Sequence, residues 1–150
     1  MNIQPLKKTV VGLALSLSIA GFALPANAVH AASNNTVQTV SGKSLAYSKV
    51  MNIVATAYSE APQENGWGPV DYFGNPLKIG TIAVDPNVIP LGTKVYITGY
   101  TFNGFPRGLI ATATDEGSAI KGNRVDIFIP SSTGPASDFG IQNVKVYVLK

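Results

Sequence analysis

Thr114–Pro130 reads TDEGSAIKGNRVDIFIP. Its last part, VDIFI, alternates as a strand does, with Val125, Ile127 and Ile129 on one face. Asp126 falls on the other face, beside Phe128. Asp is depleted in strands because its short polar chain competes with the backbone and packs poorly. A carboxylate in so apolar a strand needs a reason. A second one, Asp115, lies a short glycine-containing loop upstream.

Working outward, LIATAT precedes this stretch and VKVYVLK follows it, both as strands. Between VDIFI and VKVYVLK, PSSTGPASDFG has the composition of one helical turn, capped by Ser132 or Thr133 with Pro135 early. Upstream, TIAV is a short strand stopped by Asp85-Pro86, NVIPLGT a turn-forming connection, and KVYIT the next strand. GYTFNGFPRG is a loop or hairpin tip. NIVATAYS alternates, with Ile53, Ala55 and Ala57 opposite Val54, Thr56 and Tyr58. The segment after it, EAPQENGWGPVDYFGNPLKIG, is a long loop dense in Gly, Pro and Asn. Some six short strands with turn signals and almost no helix predict a small all-β barrel or sandwich.

The compact domain is expected over residues 51–150. Residues 1–28 carry Lys7 and Lys8, an apolar run, and Ala26-Asn27-Ala28, a small-x-small cleavage pattern. That is a secretory signal peptide, too short in its apolar part for an ordinary membrane span. Residues 29–50, rich in Ser, Asn, Thr and Ala, read as a polar linker. Removing the signal lysines leaves nine Lys and Arg against eight Asp and Glu, a net charge of +1. The basic balance of the full chain is therefore no argument for nucleic acid, and no basic run interleaved with aromatics supports it. Cysteine is absent, so the exported domain rests on its core alone.

The chemistry is bounded by what is missing. With no Cys, and with His30 in the linker, zinc sites and Cys or Ser–His nucleophiles fall away, and no cofactor is expected. Acid–base work is left to carboxylates, lysines and tyrosines. Asp85, Asp115 and Asp126 sit at strand ends or inside strands. Each also has a plain structural reading: Asp85 capping the turn before Pro86, Asp115 opening a DEG turn, Asp126 paired with Arg124 or Lys121. Two carboxylates crowded into a partly desolvated groove would keep one of them protonated near neutral pH. Trp67, Tyr72, Phe73, Tyr100, Phe102 and Phe105 fall in loops, about half as sugar-stacking platforms and half as plugs for the barrel ends.

TIAVDPNVIPLGTKVYITGY, ATATDEGSAIKGNRVDIFI and NVKVYVLK together resemble the 3D domain, named for three aspartates. That family is similar to the catalytic barrel of the lytic transglycosylase A group, which shares D-x-G-x-AIKG-x-x-x-D. The resemblance implies a six-stranded double-psi β-barrel acting on peptidoglycan glycan strands outside the cell. It maps the three aspartates to Asp85 in AVDP, Asp115 in TDEG and Asp126 in RVDIF, with Asp126 as the general acid/base. Lys121 and Thr56 are further candidates for contacting substrate, with Trp67 and Tyr72 as platforms. Two features depart from the pattern. Asp115-Glu116-Gly117-Ser118 stands where the related enzymes read DTGG or DVGG, and GYTFNGFPRGLIATAT is longer than the usual connection. The extra loop is expected to cover the groove or alter which glycan fits.

On this reading Asp126 protonates the β-1,4 glycosidic oxygen between N-acetylmuramic acid and N-acetylglucosamine. It then takes the proton of the muramic C6 hydroxyl as the anhydro ring closes. Two rivals stay open: a hydrolase with Asp115 activating water, and a non-catalytic wall-binding module.

Overall fold

A computed structural model describes residues 35–150 apart from Trp67. The signal peptide, His30 and the stacking role assigned to Trp67 lie outside the described residues. The elements run β1 (Thr36–Gln38), β2 (Ser44–Tyr58), β3 (Thr81–Val84), β4 (Lys94–Thr98), β5 (Gly108–Glu116), β6 (Arg124–Phe128), two 3-10 turns (Ser131–Thr133 and Ala136–Phe139) and β7 (Gln142–Leu149). TIAV and KVYIT form β3 and β4 with the boundaries their patterning predicts. The single capped helical turn does not form. The two 3-10 turns start after Pro130 and Pro135, and neither has a side-chain cap, because the residue at each cap position is a proline, whose ring carries no acceptor.

The chain is all-β, but the six-stranded double-psi β-barrel is not what it adopts. The structure is a seven-stranded mixed sheet in the order β1-β2-β6-β3-β5-β4-β7, with β2 also pairing with β7. The β2–β6 and β3–β5 pairs are parallel, and the rest are antiparallel. The difference arises at the N-terminal side. The strand predicted from Asn52 begins at Ser44, and its added residues take β1 as a neighbour, with Thr36, Val37 and Gln38 opposite Ala46, Leu45 and Ser44. Both pieces lie in the stretch read as a polar linker. Its Ser and Asn content hides TVQTV and SLAYSKV, whose β-branched and aromatic residues suit a half-exposed strand. Tyr47 packs edge-on against Tyr147 of β7 at 5.0 Å, and the Val40 N–H donates to the Tyr96 hydroxyl of β4.

The core lies on one face of the strands. Ile53 and Ala55 of β2, Ile82 and Val84 of β3, Ala111 and Ala113 of β5, and Val125 and Ile127 of β6 all turn to it. Val125, Ile127 and Ile129 are each 0% exposed. Burying three such side chains contributes about 5–9 kcal/mol. That outweighs the few kcal/mol that a partly desolvated, hydrogen-bonded carboxylate on the opposite face costs. The apolar face of VDIFI therefore sets the strand, and Asp126 follows to the other side. There a smaller cluster forms from Tyr58, Ala83, Ile120 and Phe128, with Leu77 against it.

The long 99–108 loop has a different fate from the one expected. Tyr100 and Phe105 are buried, and Tyr100, Phe102, Phe105 and Phe139 stack in a ring cluster with centroids 5.8–6.5 Å apart. The loop packs into the main core and contributes no lining to the groove described below. Among the described residues no helix is long and apolar enough to cross a membrane.

Candidate functional site

The second face of the sheet carries one row of side chains. In the strand register Thr56 of β2 sits opposite Asp126 of β6, Asp126 opposite Ala83 of β3, and Ala83 opposite Asp115 of β5. Residues opposite one another share a face, so Thr56, Asp126, Ala83 and Asp115 stand side by side across four strands. The two aspartate Cα atoms flank Ala83 by one strand each, about 10 Å apart. Ala83 is the β3 residue between them in the register.

Asp115 reaches this face through a β-bulge. Ile82 pairs with Ala113, whereas the next β3 residue, Ala83, pairs with Asp115, which leaves Thr114 as the extra residue. Ala111 and Ala113 turn to the core, so strict alternation would send Asp115 there too. The bulge resets the alternation and aims the carboxylate at the groove, a common use of bulges.

The groove has a volume of about 750 Å³, and Tyr58, Tyr72, Asp115, Glu116, Lys121 and Asp126 line it. Asp126 accepts a 2.7 Å hydrogen bond from the Thr56 hydroxyl. Burial raises its pKa above the ordinary carboxylate value. The Thr56 bond and the charge of Arg124 pull the other way, while the negative charges of Glu64 and Asp115 add to the rise. Asp115 has a donor on each oxygen: the Tyr58 hydroxyl at 2.7 Å and the Glu116 N–H at 2.9 Å. Burial first, then the bond to Asp115 and the charges of Asp115, Asp126 and Asp71, push the Tyr58 phenol far above its usual value. It remains a donor at any working pH.

Asp85 is built into a clasp instead. It is 8% exposed and does not line the groove. Its Oδ2 accepts from the Gly122 N–H at 2.8 Å, and its Oδ1 from the Asn87 N–H and side-chain amide at 3.0 Å each. The Gly122 N–H and then the Asn87 N–H hold the Asp85 carboxyl below its ordinary value. Gly122 has φ +65°, so glycine ends the AIKG turn at no steric cost. Asp85 thereby fixes the turn that presents Lys121 to the groove.

The structure thus brings together Asp126, Asp115, Lys121 and Tyr72 around one groove. It places Thr56 against Asp126, and Asp85 beneath the adjoining turn. Tyr58, Glu64 and Asp71 also line the groove, and sequence reasoning passed over them. Tyr58 was legible: it lies two residues after Thr56 in the same strand, hence on the same face. Glu64 and Asp71 sit in a Gly/Pro-rich loop with no periodicity to place them. Among the described residues no three His, Cys, Asp or Glu side chains converge as a metal site.

Residues 80–150 match the 3D domain. The cell wall-binding protein YocH of Bacillus subtilis (strain 168) is 44% identical over 106 residues, covering 68% of this chain and 33% of YocH. YabE of the same organism is 39% identical over 122 residues, covering 79% of this chain and 27% of YabE. The chain spans a third or less of the length of these relatives. Among solved structures, the lytic transglycosylase LtgG of Burkholderia pseudomallei aligns at 38% identity and a TM-score of 0.47, covering 55% of this chain and 26% of that one. MltA of Escherichia coli aligns at 29% identity and a TM-score of 0.47, covering 57% of this chain and 29% of that one.

Proposed function

Because this chain carries a 3D domain over residues 80–150, we propose that it is a secreted protein acting on peptidoglycan, with Asp126 as the acid/base of a lytic transglycosylase. The observation that carries this reading is the setting of Asp126. Its carboxyl is partly desolvated in a 750 Å³ groove and has its pKa raised by burial. A glycosidic oxygen needs a carboxylic acid as proton donor, and burial shifts Asp126 toward its protonated form. Its place on a rigid strand, with its core-facing neighbours Val125 and Ile127 fully buried, suits exact positioning of the acid.

In this reading Asp126 gives its proton to the β-1,4 glycosidic oxygen as the bond from muramic C1 breaks. The resulting carboxylate takes the proton of the muramic C6 hydroxyl, and O6 bonds to C1, closing a 1,6-anhydro ring. The acid is thereby restored, and no water is consumed. One proton carrier suffices, unlike the two carboxylates of ordinary glycosidases. Asp115, held by Tyr58 and Glu116, is a fixed anion beside the developing positive charge. Lys121 and Tyr72 contact the sugars, and Asp85 positions the Lys121 turn.

A second reading has its own support. YocH is described as cell wall-binding, and the open groove with exposed Tyr72 in its lining equally suits a non-catalytic glycan-binding module. Digestion of purified peptidoglycan separates the readings. Products ending in 1,6-anhydromuramic acid are expected. New reducing ends would favour a hydrolase. No turnover, with wild type and Asp126→Asn retained equally on sacculi, would favour the binding module.

A further inference from the structure

A second hollow, of about 630 Å³, lies on the far side of the 71–75 loop tip from the first. The two share Asp71, and the Tyr72 N–H donates to the Thr114 carbonyl, so the tip rests on β5 between them. The floor of the second hollow is the outward row of β5, Ile110, Thr112 and Thr114, and the bulge brings Asp115 next in that row. At about 3.4 Å per residue, Ile110 to Asp115 spans about 17 Å along one continuous face.

The chemistry of the two hollows differs. The first has a tyrosine at its rim and several carboxylates. The second has no aromatic ring in its lining, so it offers no surface for stacking a sugar. It offers instead two half-exposed isoleucines, Ile79 at 51% and Ile110 at 48%. The Thr112 and Thr114 hydroxyls make no hydrogen bond among the described residues and stand beside them. Lys78 is its cation. Its carboxylate, Asp71, is committed to the loop, accepting from the N–H groups of Phe73 and Asn75 and from the Asn75 side-chain amide. The lining is apolar and carries no net charge, with Lys78 exposed and Asp71 buried, and it offers free hydroxyls.

We propose that this second hollow binds the peptide stem of the glycan whose sugars occupy the first. This rests on the reading of the first groove as a peptidoglycan site. The stem branches from the muramic residue, so it must leave the groove close to the reacting bond. It is a short chain of small apolar side chains and free carboxylates. Ile79 and Ile110 match its methyl groups, Lys78 its carboxylates, and the two threonines its backbone.

The test compares a disaccharide bearing its peptide stem with the same disaccharide stripped by an amidase, each titrated calorimetrically into the full chain carrying Asp126→Asn. The stem-bearing ligand should bind about tenfold tighter, the scale of covering two half-exposed isoleucines. Lys78→Glu, in a loop, and Ile110→Asn, on the exposed face of β5, should each erase most of that preference and leave the stripped ligand unchanged. Equal affinity for the two ligands, or a preference that survives both substitutions, overturns the proposal, as does binding of neither. A preference that behaves as expected, in a wild-type protein that turns over neither material, supports the stem site and overturns only the transglycosylase reading.

Discussion

Asp126→Asn is the substitution on which function and stability should part. The amide has nearly the size of the carboxylate, and its oxygen can still accept from the Thr56 hydroxyl, which lies 2.7 Å from Asp126. It cannot cycle a proton, so turnover of peptidoglycan should fall by about 10²–10⁴-fold, the usual contribution of a general acid/base. The stability effect runs the other way. Burial raises the native pKa of Asp126 above the ordinary 3.8. Between those two values the folded protein holds a proton that the unfolded chain has released, so stability falls as pH rises through that window and stays lower above it. Each unit of difference amounts to about 1.4 kcal/mol. For a domain of this size, 1 kcal/mol moves Tm by about 3–6 °C. Asp126→Asn carries no such penalty. It should melt at or above the wild-type temperature at pH 7, with the gap closing below about pH 4, where the wild-type carboxyl is protonated in both states. Calorimetry across pH 3–8, beside a product assay, reads both effects. Wild-type turnover by the variant would refute Asp126 as the acid. A lower Tm at pH 7 would show that the charge of Asp126 beside Arg124 outweighs its burial, and the strand carboxylate would then be structural.

Other changes probe the supports. Tyr58→Phe keeps the ring on Phe128, 5.7 Å away edge-on, and removes only the donor to Asp115. It should cost about 1–2 kcal/mol in urea denaturation and lower kcat more than it raises KM; unchanged kinetics would mean that Asp115 needs no fixed orientation. The Asp85 carboxyl is held below its ordinary value, so the stability it contributes is present above about pH 4 and is lost as pH falls through the lower native value. Asp85→Asn should therefore flatten the acid limb of a pH–Tm curve, and an unaltered limb would remove Asp85 from the clasp. Gly122→Ala meets open space, but at φ +65° it should cost about 1 kcal/mol by thermal denaturation and weaken the hold on the Lys121 turn. No loss would mean that the turn readily relaxes.

The residues of VDIFI sufficed to place a strand, its buried face and the odd carboxylate, because hydrophobic alternation is local and period two belongs to the strand itself. The same holds for TIAV and KVYIT, and the three aspartates stood out against their neighbours by type alone. Which of them meet is another matter. Asp126 and Asp115 share a groove because β3 runs between their strands and presents Ala83 to both, a pairing among residues distant in sequence. Asp115 faces outward only because Thr114 bulges, and that extra residue is visible only against a partner strand. Asp85, equally marked in the sequence, turned instead to the Gly122 N–H, whose position depends on how the AIKG turn folds back. The aromatics of the 99–108 loop were as consistent with a platform as with a plug until Phe139, from a turn far along the chain, closed over them. Local pattern carries which way a side chain points along its own strand. Partners, registers and bulges are set by the energy of assembling the whole sheet.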